Sequence, residues 1–264
     1  MPRTTTRTVV AGVLMGAVLG GTLGACTANP SSGPSASGSP PAAGQVPLPQ
    51  GSEAVRLDPA DFTVDISNPY WPMAVGDRWV YRETDDEGGD LRVEVTVLDR
   101  TVTVALGIEA RVVHDLVTDG GAAVEDTYDL YAQDATGNVW YLGEDTKEYE
   151  NGAVVSTSGS WEAGVDGASP GVVVPARPRP GTEYRQEHLA GEAEDQAVVL
   201  SVDEAVQTPV GAYTGALLTR DTTPLEPDVA ELKLYAPGVG PVMTVQIAGG
   251  TGREVLVETT RGHA

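Results

Sequence analysis

Two runs of this chain alternate apolar and polar residues without a break: Leu91-Arg92-Val93-Glu94-Val95-Thr96-Val97 and Glu231-Leu232-Lys233-Leu234-Tyr235. A period of two marks an extended strand with one face buried, and no stretch offers the i, i+3, i+4, i+7 period of an amphipathic helix. Further runs rich in β-branched and aromatic residues cover 78–83, 108–117, 125–132, 138–142, 183–189, 198–206, 216–222, 242–247 and 254–259. Turn chemistry separates them, as at Glu87-Gly88-Gly89-Asp90, Asp119-Gly120-Gly121, Ala135-Thr136-Gly137-Asn138, Pro237-Gly238-Val239-Gly240 and Gly249-Gly250-Thr251-Gly252. Residues 192–205 are the best helix candidate by composition, but Val198-Val199-Leu200-Ser201-Val202 at their centre favours a strand. The expectation is an all-β domain, an antiparallel curved sheet forming a half-barrel or barrel.

The strand region reads as duplicated. Gly76 and Trp79 align with Gly181 and Tyr184 at an offset of 105. Ala110-Arg111-Val112-Val113-His114-Asp115 aligns with Ala216-Leu217-Leu218-Thr219-Arg220-Asp221, and Leu130-Tyr131-Ala132 with Leu234-Tyr235-Ala236. Three blocks in one order at a near-constant offset predict two pseudo-repeated meanders, 68–150 and 175–250, sharing one core. Neither would close its own edges, so pairing them gives each its missing neighbours.

The N-terminus carries a different signal. Arg3 and Arg7 precede an apolar run over 9–18, and Leu23-Gly24-Ala25 leads into Cys26, the one cysteine of the chain. This is the layout of a secretory leader, with an apolar run too short to span a bilayer. It matches a bacterial lipobox, so residues 1–25 are expected to be a lipoprotein signal peptide and Cys26 the lipidated N-terminus of the mature chain. Two or more acyl chains hold a domain at a membrane stably, at roughly 0.8 kcal/mol per buried methylene. Residues 26–52 are Ala-, Ser-, Gly- and Pro-rich with almost no charge and read as a disordered tether, ~25–30 Å in r.m.s. span. Residues 53–264 form the all-β domain, expected at the extracytoplasmic face of the cell membrane. With no second cysteine it has no disulfide, and its core must stabilise it alone.

Composition excludes some partners. Of sixteen Lys and Arg residues two lie in the leader, which leaves fourteen against thirty-eight acidic residues, a net charge of −24. Nucleic acids and anionic headgroups both need basic patches, so neither is an expected partner.

One resemblance covers most of residues 68–248. Asn68-Pro69-Tyr70-Trp71-Pro72 followed by Gly76 and Trp79-Val80-Tyr81 resembles the opening of a group of secreted bacterial proteins. The shared pattern continues through Tyr128-Asp129-Leu130-Tyr131-Ala132-Gln133-Asp134, Gly137-Asn138-Val139-Trp140-Tyr141, Lys147-Glu148-Tyr149-Glu150-Asn151-Gly152 and Tyr235-Ala236-Pro237-Gly238-Val239-Gly240. It implies secretion and brings no activity with it. A looser, architectural likeness is to the antiparallel half-barrels of bacterial lipoprotein and lipid carriers, and fold-level likeness does not transfer function.

Catalytic motifs are missing from the pattern. No Gly-x-Ser-x-Gly turn exists, since Gly159-Ser160-Trp161 lacks the second glycine. His114, His188 and His263 are dispersed, and zinc needs several close nitrogen or sulfur ligands. Carboxylate clusters are the better candidates: the turn Asp85-Asp86-Glu87, the stretch Glu125, Asp126 and Asp129, and Glu192, Glu194 and Asp195. Asp126, Asp129, Glu192, Glu194 and Asp195 are the weak candidates for a metal, calcium by its preference for oxygen; no other cofactor is implied. Each cluster also reads simply as a solvated hairpin turn.

Three roles follow as expectations. The first is a non-enzymatic carrier whose concave sheet holds a hydrophobic or amphiphilic ligand. The second is a cell-envelope carbohydrate-active hydrolase with paired carboxylates beside Trp71, Trp140, Tyr141 or Trp161 as sugar platforms. The third is a calcium-stabilised surface module, whose melting temperature calcium would raise and magnesium would not.

Overall fold

A computed structural model describes residues 48–84 and 88–262. The leader, Cys26, most of the tether, Asp85-Asp86-Glu87 and His263 lie outside the described residues.

The chain is all β, with a single 3-10 turn (Pro59–Asp61) as the one helical element among the described residues. In chain order the strands are β1 (Phe62–Thr63), β2 (Arg78–Thr84), β3 (Asp90–Thr103), β4 (Glu109–Asp119), β5 (Ala122–Asp134), β6 (Val139–Glu150), β7 (Ala153–Ser156), β8 (Trp161–Glu162), β9 (Ser169–Val174), β10 (Glu183–Arg185), β11 (Glu187–His188), β12 (Gln196–Gln207), β13 (Ala212–Thr222), β14 (Ala230–Ala236), β15 (Gly240–Ala248) and β16 (Arg253–Thr260). All pairings are antiparallel, in the order β10-β12-β13-β14-β15-β16-β2-β3-β4-β5-β6-β9-β11. The helix-prone composition at 192–205 gives way to β12, as its β-branched centre requires.

The ends of that order explain the closure. β10 and β11 stand at opposite ends of the path, yet only Gln186 separates them in the chain. One extended segment therefore pairs with β12 through its first half and with β9 through its second, curling the sheet into a nearly closed barrel. Gly171 of β9 makes the seam possible: a Cβ there would overlap the backbone of Arg185 and Gln186. Arg185, 2% exposed, locks the same place. Its backbone N–H donates to Pro49 O at 2.7 Å, and its guanidinium donates to the carbonyls of Gly51 (2.7 Å), Glu53 (2.8 Å) and Pro170 (2.9 Å). The chain leaving the tether is thus stitched onto the seam.

Most of the long motifs singled out in the sequence meet around Trp71, whereas residues 147–152 lie at the far end of β6. Trp71 enters between opposite walls, its ring 5.3 Å from Tyr131 and 6.3 Å from Tyr235. Asn68 is buried; its Nδ2 donates to Gly137 O (2.9 Å) and its Oδ1 accepts from Tyr70 N (2.9 Å). Trp79 Nε1 donates to Val239 O (2.8 Å) and Tyr81 O–H to Pro241 O (3.0 Å), tying β2 to the Pro237–Gly240 turn. Asp134 accepts from Thr136, Asn138 and Trp140 Nε1. Burial alone would raise its carboxyl, but those donors hold it below the usual range.

Candidate functional site

Inside the barrel the strand alternation is inverted in places. β14 buries Glu231, Lys233 and Tyr235 and leaves Leu232 and Leu234 half-buried. Residues of the same parity do likewise around the wall, with Glu83 on β2, Asp115 on β4, Asp129 on β5, Asp221 on β13 and Glu254 on β16 all below 6% exposure. Glu144 of β6, Glu187 of β11 and Asp195 before β12 complete a belt of buried carboxyls. Aromatics fill the space among them: Tyr131 and Tyr141 stack at 5.0 Å, and Trp161 meets Tyr141 edge-on at 5.2 Å. These side chains crowd the part of the concave face that they line, where the carrier expectation puts its ligand.

Burial controls the chemistry of this belt. Desolvation pushes Asp129 up to about 7, partly countered by the Tyr141 O–H that donates to it at 2.7 Å. Glu125 and Asp195 are likewise pushed up to about 7 by burial, Asp195 despite the opposing pull of Lys233. Asp115, Glu144, Glu187 and Glu254 rise well above the usual carboxylate range, through burial first and then the repulsion of neighbouring carboxyls. The belt contains one amine. Lys233 Nζ lies 3.4 Å from Asp221 Oδ2, with side chains 7% and 5% exposed. Gln186 Nε2 donates to the same oxygen at 3.3 Å.

The metal candidates are not brought together. Asp126 points outward and pairs with His114 at 2.8 Å. Asp129 points inward to Tyr141. Glu192 is exposed, Glu194 accepts from Gly191 N, and Asp195 is buried in the belt. Among the described residues, no group of three or more His, Cys, Asp or Glu is placed to hold a metal ion. Trp71, Trp140 and Tyr141 are buried at 3% exposure or less, as core rather than as sugar platforms.

A cleft of about 380 Å³ lies on the outer surface, crossing β3, β4, β5, β6 and β8. Val112, Tyr128 and Leu130, of opposite parity to Asp129 and Tyr131, form its floor. The end of β3 supplies one wall with Arg100, Val102, Thr103 and Val104; Asp145 and the segment Ser160-Trp161-Glu162 supply the other, and Glu144 reaches it as well. Arg100 sits over the Tyr128 ring at 5.9 Å, and the His114 ring stacks on the same ring at 4.7 Å and 12°. Two of the cleft's carboxylates are already engaged: Asp145 with Lys147 at 2.9 Å, and Glu162, which accepts from Ala105 N at 2.7 Å. Glu144, the third carboxyl of the cleft, accepts from Thr146 Oγ1 at 3.0 Å. Sequence reasoning missed this cleft, because only the curl of β3 and the short β8 bring its walls together.

No family model matches the chain, and no curated protein does. Solved structures share its general course. A Bacteroides fragilis protein described as exported, with a YmcC-like fold, is 14% identical over 74% of this chain and all of its own, with a TM-score of 0.45. A Parabacteroides distasonis protein described as a lipoprotein is 14% identical over 73% of this chain and 99% of its own, at 0.41. A β-barrel-like protein from Brucella abortus, of a domain of unknown function, is 12% identical over 72% and 99%, at 0.35. At such scores the likenesses carry no argument about what this chain does.

Proposed function

We propose that this protein is a lipid-anchored extracytoplasmic binding protein that holds an amphiphilic ligand in the outer cleft. The cleft carries the reading. Its volume falls within the ~300–1,000 Å³ of small-molecule sites. Val102, Val104, Val112 and Leu130 offer an apolar floor and wall, while Arg100, Asp145, Ser160 and Glu162 offer a polar rim. An apolar body with a polar head matches that division. The leader and Cys26 support the location, because they would hold the domain within a tether's length of a membrane that supplies such molecules.

Native mass spectrometry of the purified protein, compared with its denatured mass, tests the reading. The expected result is a bound species of lipid mass that is lost in Leu130→Trp, which fills the cleft floor. A bare protein mass, persisting after incubation with envelope lipids, would overturn it.

A further inference from the structure

The pair Lys233 and Asp221 has a feature that a structural ion pair does not need. Asp221 and Glu231 are direct partners across β13 and β14, and Thr219 partners Lys233, so Lys233 sits diagonal to Asp221 on the same inward face with Glu231 beside both. All three are at least nine-tenths buried. Asp221 Oδ1 and Glu231 Oε1 have no hydrogen-bond partner, while Asp221 Oδ2 receives both Lys233 and Gln186. Burial raises the hydroxyl pKa values of Tyr184 and Tyr235, and the nearby Asp221 charge adds to that rise. The arrangement holds an amine, a carboxyl carbon, a second carboxyl and a donor on the developing oxyanion, within a site that excludes water.

We propose that Lys233 and Asp221 condense into an intramolecular amide joining β13 to β14, with Glu231 carrying protons. The Lys233 ammonium passes one proton to the Glu231 carboxylate. The freed Nζ lone pair attacks Asp221 Cγ, forming the C–N bond and moving the C–O π electrons to Oδ2, where the Gln186 N–H stabilises them. The carbonyl re-forms as the bond from Cγ to Oδ1 breaks. Oδ1 collects two protons, one returned by Glu231 and one from Nζ, and leaves as water. An ammonium and a carboxylate thus become an amide and one water, with no oxidant or cofactor. Fixed proximity in a dry site is what makes such a condensation accessible between weak partners. A cross-link of this kind suits a domain with no cysteine of its own, since it staples two strands without a disulfide.

Trypsin digestion of the denatured full chain, followed by mass spectrometry, reads the bond directly. An acylated Lys233 resists trypsin, so the expected product is a peptide spanning 221–253, uncut at Lys233 and lighter than its sequence by one water. A succinimide would also lose water but would leave Lys233 open to cleavage. Glu231→Gln is expected to give mainly the separate peptides 221–233 and 234–253 at full mass. Recovery of those two unmodified peptides from the wild-type protein would overturn the proposal. An amide yield in Glu231→Gln equal to that of the wild type would overturn the role of Glu231.

Discussion

In the β4–β5 pair, Asp115 faces Thr127, Val113 faces Asp129 and Arg111 faces Tyr131. In the β13–β14 pair, Asp221 faces Glu231, Thr219 faces Lys233 and Leu217 faces Tyr235. The register is the same, and Asp115 matches Asp221 as Tyr131 matches Tyr235, but the other four positions differ, and two of them move the cation: the first pair has Arg111 and Asp129 where the second has Leu217 and Lys233. We read the two meanders as copies of one unit that have solved the same electrostatic problem differently. In the first half the buried cation, Arg111, donates to the carbonyls of Val64 and Leu98, and burial favours the protonated form of Asp115, Asp129 and Glu144 against the opposing donation of Tyr141 and Thr146. The second half raises the carboxyls of Asp195 and Glu187 by burial in the same way and adds Lys233 as the partner of Asp221. A buried carboxylate left without a counter-charge costs several kcal/mol.

The largest effect expected from breaking this comparison is at Lys233. Lys233→Met would strand Asp221, Glu231 and Asp195 without a counter-charge and should destabilise by about 3–5 kcal/mol, a fall of roughly 10 °C in melting temperature for a domain of this size. Calorimetry at pH 7 checks it. Asp129→Asn should act in the opposite direction and by less. It keeps an oxygen for the Tyr141 O–H but needs no proton, so it should raise the melting temperature by roughly 2–4 °C at pH 8 and leave it unchanged at pH 5. Installing the second half's lysine in the first, as Asp129→Lys beside Asp115, should keep more of the native stability at pH 8 than Asp129→Leu, which leaves the Tyr141 O–H without its acceptor. The smallest stability change, within ~1 kcal/mol, is expected for Leu130→Trp on the outer cleft, although ligand binding should be lost there.

Much of the fold was legible in the sequence, and the reason is local. Residues 91–97 and 231–235 alternate because they lie in a sheet with two different faces, and every glycine-rich turn named from the sequence separates consecutive strands where its residues are described. β7 and β9 were not legible: β7 is a four-residue edge, and β9 opens with Ser169-Pro170-Gly171, a turn signal whose glycine instead serves the close approach at the seam. The polarity of β14 was hidden for a deeper reason. Alternation says that Glu231 and Lys233 share a face and that Leu232 and Leu234 share the other, but hydrophobicity alone assigns the leucines to the inside. Only the closure of the barrel, fixed by contacts as remote as Gly171 with Gln186, decides which face is enclosed. The contiguous grouping of Asp126 with Asp129 failed for the same reason, because a strand sends residues three apart to opposite faces.

Burial thus favours protonated carboxyls throughout the barrel interior, with Lys233 as an added counter-charge in the second half. A carboxyl whose folded pKa is raised takes up a proton on folding, so the stability present below about pH 4, the unfolded value, is lost as pH climbs toward the folded one. Asp129, Glu125 and Asp195, each pushed up to about 7, place that loss between roughly pH 4 and 7. The direct measurement is the melting temperature of the wild-type protein from pH 5 to pH 8 at fixed ionic strength. A fall of several degrees across that window is predicted, and a melting temperature that holds level or rises with pH would contradict the account.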